Sequence, residues 1–138
     1  MADAFLQLSE NDRRDALEVA AAASGRPVHL LEKDVWVVWS LAALFASKHA
    51  PDLVFKGGTS LSKAYGVIRR FSEDVDLTYD IRAIAPDLVG AAAEALPPNP
   101  SQEKKWTKEI RARLMRLTQD DALPTIASAV AETNLPAR

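Results

Sequence analysis

The chain of 138 residues contains no cysteine. That absence removes disulfide staples, thiolate metal sites and cysteine nucleophiles together, and it suits a reducing compartment. Histidine is nearly absent as well: His29 and His49 are the only two, and neither has metal-ligand spacing to another donor. There is little excess of either charge, since 17 basic against 19 acidic residues leave a formal net charge of −2. No global cationic field draws the chain onto nucleic acid, so any contact with RNA or DNA must be local. Met1-Ala2-Asp3-Ala4 offers no basic segment followed by an apolar stretch, so no secretory signal is read and the cytoplasm is the expected location. The most apolar stretch, Val35 to Ala46, is too short to span a membrane and follows the charged triplet Glu32-Lys33-Asp34. No internal repeat or low-complexity segment is present.

What remains is the composition of an ordinary folded domain, 48% hydrophobic and 26% charged, at a length that suits a single core. Ser9, with Asp12 three residues on, is close to a capping box and predicts a helix over 9–24 that Gly25 and Pro27 stop. Apolar residues at helical spacing predict a second helix over 30–48, opened by Glu32, Lys33 and Asp34. Those charges fit either a simple preference of acidic groups for a helix N-terminus or a part in shaping a site. Trp36 and Trp39, three apart, are expected in the core. Leu53-Val54-Phe55 reads as a buried strand that runs into Gly57-Gly58, and a short helix over 60–67 with Thr59 or Ser60 as its cap follows. Val75, Leu77 and Tyr79 alternate with Asp76, Thr78 and Asp80, which predicts a second strand with one polar face. Helices are then expected over 86–96, 101–118 and 123–132, separated by the connector Pro97-Pro98-Asn99-Pro100.

Two segments carry chemistry. Phe55-Lys56-Gly57-Gly58-Thr59-Ser60-Leu61-Ser62-Lys63 places paired glycines after a strand and hydroxyls at the start of a helix. Glycines allow close backbone approach and positive φ, while exposed N–H groups, hydroxyls and the helix dipole favour an anion there. A Walker A loop is excluded, because Ser62 and Ala64 flank Lys63 where glycine and a hydroxyl residue are required. Taken alone, the pair of glycines also fits a plain turn and helix cap. Arg70-Phe71-Ser72-Glu73-Asp74-Val75-Asp76-Leu77 then sets Asp74 and Asp76 two apart, so that on a strand both carboxylates share a face. Such a pair supplies the hard oxygen ligands that Mg²⁺ takes alongside substrate phosphates. A solvated strand edge is the bland reading of Asp-x-Asp. Against it stands the cost of Glu73, Asp74, Asp76 and Asp80 within eight residues, a concentration of like charge that strands disfavour.

A glycine pair, hydroxyls, a short helix and then Asp-x-Asp is the order of motifs in the DNA polymerase β-like nucleotidyltransferases. Lys56 to Gly66 and Arg70 to Leu77, with Glu32-Lys33-Asp34-Val35-Trp36-Val37 upstream, resemble the core of the AbiEii/AbiGii toxin family. The resemblance is strong over about residues 30–80. It implies an α+β fold, in which a small mixed β-sheet is packed by helices and flanked by helix-rich segments. The motif core would be 53–80 and the helical part 86–134, with 1–138 as the N-terminal part of a nucleotidyltransferase domain. It further implies transfer of a nucleotide from an NTP to RNA, with tRNA as the acceptor class, by the toxin of a type IV toxin–antitoxin or abortive-infection system for phage defence. Carried over by position, Gly57, Gly58, Thr59 and Ser60 would hold the NTP phosphates with Lys56 and Lys63 adding positive charge. Asp74 and Asp76 would be the catalytic carboxylates and hold Mg²⁺ or Mn²⁺, and Arg70 and Ser72 would flank the site. A cognate antitoxin is the implied protein partner, and no membrane is involved.

The chain departs from the pattern in more than one respect: the step from Gly58 to Asp74 is longer than in many nucleotidyltransferases, family members run to roughly twice this length with a later lysine, and no acidic residue after Asp80 falls on a predicted strand, where a third carboxylate is usual. The sequence therefore reads as an N-terminal portion of a longer toxin, with a catalytically incomplete fragment that binds nucleotide or a partner without turnover as the alternative. A local basic helix, Lys104, Lys105, Lys108, Arg111, Arg113 and Arg116 around Trp106, fits either RNA phosphates or a solvated face.

Overall fold

The computed structural model describes residues 2–63, 66, 74–90 and 94–133. Helix α1 (Ala2–Leu6) leads into α2 (Glu10–Ser24), which starts as the capping signal requires: the Ser9 hydroxyl accepts from the Asp12 amide at 3.2 Å. Gly25 ends the helix in the left-handed conformation, φ +70°, with its N–H on the Ala21 carbonyl. Helix α3 (Val28–Phe45) begins two residues earlier than the periodicity predicts and ends three earlier. Pro27, with ψ 142°, fixes the non-helical entry, so helix can start at the next residue. At the other end the Ser47 hydroxyl takes the Leu44 carbonyl at 2.6 Å, which closes the last turn.

A 3₁₀ turn (Ala50–Asp52) feeds strand β1 (Leu53–Lys56), and β1 passes without a loop into α4 (Gly57–Lys63). Strand β2 (Asp76–Tyr79) lies antiparallel to β1, pairing Leu53 with Tyr79, Val54 with Thr78, Phe55 with Leu77 and Lys56 with Asp76. Burial alternates on both strands, so Leu53, Phe55, Leu77 and Tyr79 face inward while Val54, Lys56, Asp76 and Thr78 stay exposed. Asp80 caps the short α5 (Ile81–Ile84), and α6 (Pro86–Val89) follows. The helix expected over 86–96 is thus cut short: Gly90, at φ +63°, ends α6, residues 94–96 are not helical, and positions 91–93 lie outside the described residues. Asn99 caps α7 (Pro100–Leu117), which continues through a π turn (Thr118–Ala122) into α8 (Leu123–Glu132).

The result is an α+β arrangement, a two-stranded antiparallel sheet beside a larger helical layer. On the helical side α3 packs against α1, α2 and α8. Leu6, Leu17 and Trp39 are buried there, and Trp36 meets the Trp39 ring edge-on at 5.9 Å. Trp36 is only half-buried, so of the two tryptophans expected in the core Trp39 alone is fully covered. On the sheet side α4 packs on both strands and α5 packs on α7. Ion pairs tie the layers, Lys63 to Asp34 and Lys48 to Asp121. Among the described residues no helix is long and apolar enough to cross a membrane.

Candidate active site

The exposed end of the hairpin is where the two motifs meet. Cross-strand pairing puts Lys56, the last residue of β1, directly opposite Asp76, the first of β2. The next residue, Gly57, has φ +81°, and a Cβ built on it would collide with the Asp76 carboxylate. Even the Asp76 Cγ and Cβ would lie only 3.0 and 3.1 Å away. Gly57 therefore serves two purposes: it takes a left-handed conformation that L-residues avoid, and its bare Cα admits the carboxylate against the loop.

Behind this contact α4 is fixed by buried hydroxyls. Thr59 and Ser60 are 1% and 3% exposed, and each donates inward: Thr59 to the Asp74 carbonyl at 2.5 Å, Ser60 to the Phe55 carbonyl at 3.2 Å. The sequence places these residues at a helix cap facing a phosphate; the structure puts them within the helix, because β1 leads into α4 at Gly57 itself. With those protons committed to the chain's own carbonyls, Thr59 braces the loop against the aspartate segment and Ser60 braces it against β1. Phosphate donors would then be backbone N–H groups of Gly57 and Gly58, with Lys56 exposed alongside. Lys63 is turned away into its ion pair with Asp34.

That pair revises the reading of Glu32-Lys33-Asp34. Because α3 starts at Val28, no acidic residue falls in its first turn, and a dipole preference does not account for the triplet. Asp34 instead holds the C-terminal end of α4 through Lys63, a part in shaping the site. Asp74 and Asp76 are brought together at the loop, though not as two positions of one strand: β2 begins at Asp76, and Asp74 precedes it, anchored through its carbonyl by Thr59. Both aspartates are exposed, and no ion pair engages either among the described residues. Arg70 and Ser72 lie outside the described residues.

The donor set suits a hard divalent cation. Carboxylate oxygens that are exposed and have no cationic partner among the described residues, beside a loop whose bare Cα leaves room, match the one or two protein carboxylates that Mg²⁺ uses. No group of three His, Cys, Asp or Glu able to hold a metal occurs among the described residues.

On the inward face of the same hairpin lies a cluster that sequence spacing could not reveal. His49 is 3% exposed, and its Nδ1 stands 3.3 Å from the Tyr79 hydroxyl, which donates to Asp52 at 3.4 Å. The other ring nitrogen, Nε2, is buried and has no hydrogen-bond partner among the described residues. Burial, then the nearby Asp52 carboxylate, push the Tyr79 phenol above its ordinary value. Tyr79 stands 27 residues from Asp52 and 30 from His49, so only the turn that folds residues 49–52 beside β2 joins the three. A cleft of about 800 Å³ lies elsewhere, between α1, α2, α3 and α8, lined by Leu6, Leu17, Trp36, Trp39 and Arg13 among others. None of the glycine-loop or aspartate residues lines it, so concavity and chemistry do not coincide here.

The family model described as nucleotidyl transferase AbiEii toxin, type IV TA system, matches residues 39–137. That span contains β1, the glycine loop, both aspartates and the helices through α8. No curated protein and no solved structure matches the chain.

Proposed function

Given that the chain belongs to the AbiEii family of nucleotidyl transferase toxins of type IV toxin–antitoxin systems, we propose that its hairpin end carries metal-dependent transfer of a nucleotide from an NTP to an RNA acceptor, with tRNA as the acceptor class. The observation that carries this reading is the seating of the Asp76 carboxylate against the bare Cα of Gly57. It joins the phosphate-approaching loop to a metal-type carboxylate at one point.

In the proposed reaction Asp74 and Asp76 are the catalytic carboxylates and would hold Mg²⁺ or Mn²⁺. When bound, such a cation would neutralise phosphate charge and lower the pKa of an attacking hydroxyl. The chain's own residues have the other tasks. Backbone N–H groups of Gly57 and Gly58 bind NTP phosphate oxygens, and Lys56 adds positive charge at the exposed end of β1. Thr59 and Ser60 act in nucleotide binding indirectly, by bracing the loop. Lys63, through Asp34, holds the far end of α4; Arg70 and Ser72 are proposed to flank the nucleotide. An RNA hydroxyl oxygen forms the new bond to the α-phosphorus as its proton passes to solvent, the bond to the bridging oxygen breaks, and pyrophosphate leaves with that electron pair. We place the motif core at residues 53–80, with 86–134 as its helical companion in one domain, in a cytoplasmic protein that acts with a cognate antitoxin.

The test is an assay with labelled NTPs, total tRNA and Mg²⁺ or Mn²⁺. Label should pass to RNA, and Asp74→Ala and Asp76→Ala should each abolish transfer while leaving the fold intact by circular dichroism. Transfer undiminished in both variants would remove these aspartates from the chemistry.

A further inference from the structure

Helix α7 divides its charges between two faces. Arg113 is half-buried and donates to Asp87 at 2.5 and 2.9 Å, to Glu109 at 2.9 Å and to the Ile84 carbonyl at 3.4 Å. Trp106, Ile110 and Leu117 share that half-buried side with it, four, three and four residues apart in turn. The opposite side carries Lys104, Lys108 and Arg111 at helical spacing, with Lys105 at its margin, all exposed and none in an ion pair among the described residues. Six cations against two glutamates make α7 basic in a chain whose net charge is −2. Both glutamates are accounted for: Glu109 is held by Arg113, and Glu103 lies in the first turn, where the helix dipole favours it. The cationic stripe is therefore uncompensated along its own helix.

We infer that this outward face of α7 is a docking surface for the phosphate backbone of the RNA acceptor, an inference that rests on the nucleotidyl-transfer reading and gives its polymeric substrate a place on the fold. Charge complementarity selects the occupant. Lys104 to Arg111 spans roughly 10 Å at 1.5 Å per residue, the reach of a few consecutive phosphates. Between these two residues no exposed position carries a large apolar side chain, and the exposed Met115 stands one turn beyond Arg111 at the end of the stripe. A protein partner would ordinarily want an apolar or aromatic centre there, whereas a polyphosphate does not. Trp106 lies on the other, half-buried side of the helix, so the outward face itself presents cations to the backbone and no aromatic ring for base stacking.

The stripe is also held in relation to the aspartates. The residue that ends β2 is followed by Asp80, whose N–H bonds the Asp52 carbonyl at 2.7 Å and whose side chain caps α5. Helix α5 packs on α7, and the two-pronged Arg113–Asp87 contact fastens α6 to it. Packed elements thus link β2, which begins at Asp76, to the tethered side of α7.

The experiment titrates end-labelled total tRNA with the full chain between 50 and 200 mM salt, for the wild type, K104Q/K108Q/R111Q, the charge-keeping K104R/K108R, and a control, R14Q/R26Q, that removes cations from α2 and its end. Each lost phosphate contact lowers the log–log salt slope by about 0.7 to 0.9. The triple variant should therefore flatten it by roughly two and bind on the order of thirtyfold more weakly at the low-salt end. K104R/K108R should bind as wild type, and the control should lose much less than the triple. In the transfer assay the triple variant should raise KM for tRNA with kcat unchanged at saturating RNA. The proposal is overturned if the triple variant keeps the wild-type affinity and slope, if the control loses as much, or if the stripe binds an acidic protein and no RNA. Salt-dependent RNA binding lost in the triple variant, without label transfer by any form, would defeat the nucleotidyl-transfer reading and leave the surface standing.

Discussion

Gly57→Ala is the substitution on which the site geometry can be judged most severely. Two separate costs are expected. An L-residue forced to φ +81° is strained by about 1 to 2 kcal/mol. The added methyl also meets Asp76, at the carboxylate and at Cγ and Cβ 3.0 and 3.1 Å away, and overpacking of that kind costs about 1 to 3 kcal/mol. Asp76 is exposed, so its carboxylate can swing into solvent and relieve part of the second cost; the Cβ contact cannot be relieved by rotation. The total should come near 2 to 3 kcal/mol, or a fall in Tm of roughly 6 to 12 °C for a domain of this size. Transfer activity should be lost well beyond what that instability explains, since relief of the clash moves a proposed metal ligand. Thermal melts of four proteins separate the parts: wild type, Gly57→Ala, Asp76→Ala and the double variant. In the Asp76→Ala background the carboxylate and Cγ contacts are gone, and Gly57→Ala should cost only the φ strain and the remaining Cβ contact, less than in the wild type. A wild-type melting temperature for Gly57→Ala would refute the left-handed conformation. Equal costs in both backgrounds would refute the packing of the carboxylate against the loop.

Other substitutions test the supports of the site. Thr59→Val, which keeps shape but leaves the Asp74 carbonyl without this donor, should cost about 0.5 to 1.5 kcal/mol by denaturant melts and reduce transfer; Thr59→Ser, which keeps the hydroxyl, should cost less than Thr59→Val. Trp39→Ala empties the best-buried large side chain of the helical layer and should cost about 3 to 5 kcal/mol; a loss under about 1 kcal/mol would show that α1, α2, α3 and α8 do not share a core there. The Asp87 carboxyl is held below its ordinary value first by its hydrogen bond from Arg113. A depressed folded-state pKa means that the contribution is present above the unfolded value near 4 and is lost as pH falls through the folded value. Melts of wild type and Asp87→Asn should accordingly differ at pH 7 and converge once the pH has fallen below the folded-state value, and a difference that grew toward acid pH would contradict the pairing.

Signals that act between near neighbours along the chain are legible in the sequence. Ser9, Gly25, Asn99 and the alternation of β2 set element boundaries because caps and pleats act over a few residues. The motif order from Lys56 to Asp76 points to the family, since loop, helix and carboxylate must follow one another along the chain. The start of α3 is misplaced by sequence pattern because charge at Glu32-Lys33-Asp34 resembles a helix opening, whereas Pro27 decides the entry backbone. The roles of individual side chains are less legible still. Whether the Thr59 and Ser60 hydroxyls face a ligand or the chain's own carbonyls depends on where Asp74 and Phe55 lie in space. The partnership of Lys63 with Asp34, the burial of His49 against Tyr79, and the division of α7 into a tethered face and a cationic face depend likewise on packing between distant segments. Sequence by itself determined which chemistry the chain carries, because residue types and spacing fix the available ligands and donors. Tertiary structure alone decided which of those groups point outward and which brace the fold, because burial and long-range hydrogen bonds commit some donors and leave others open.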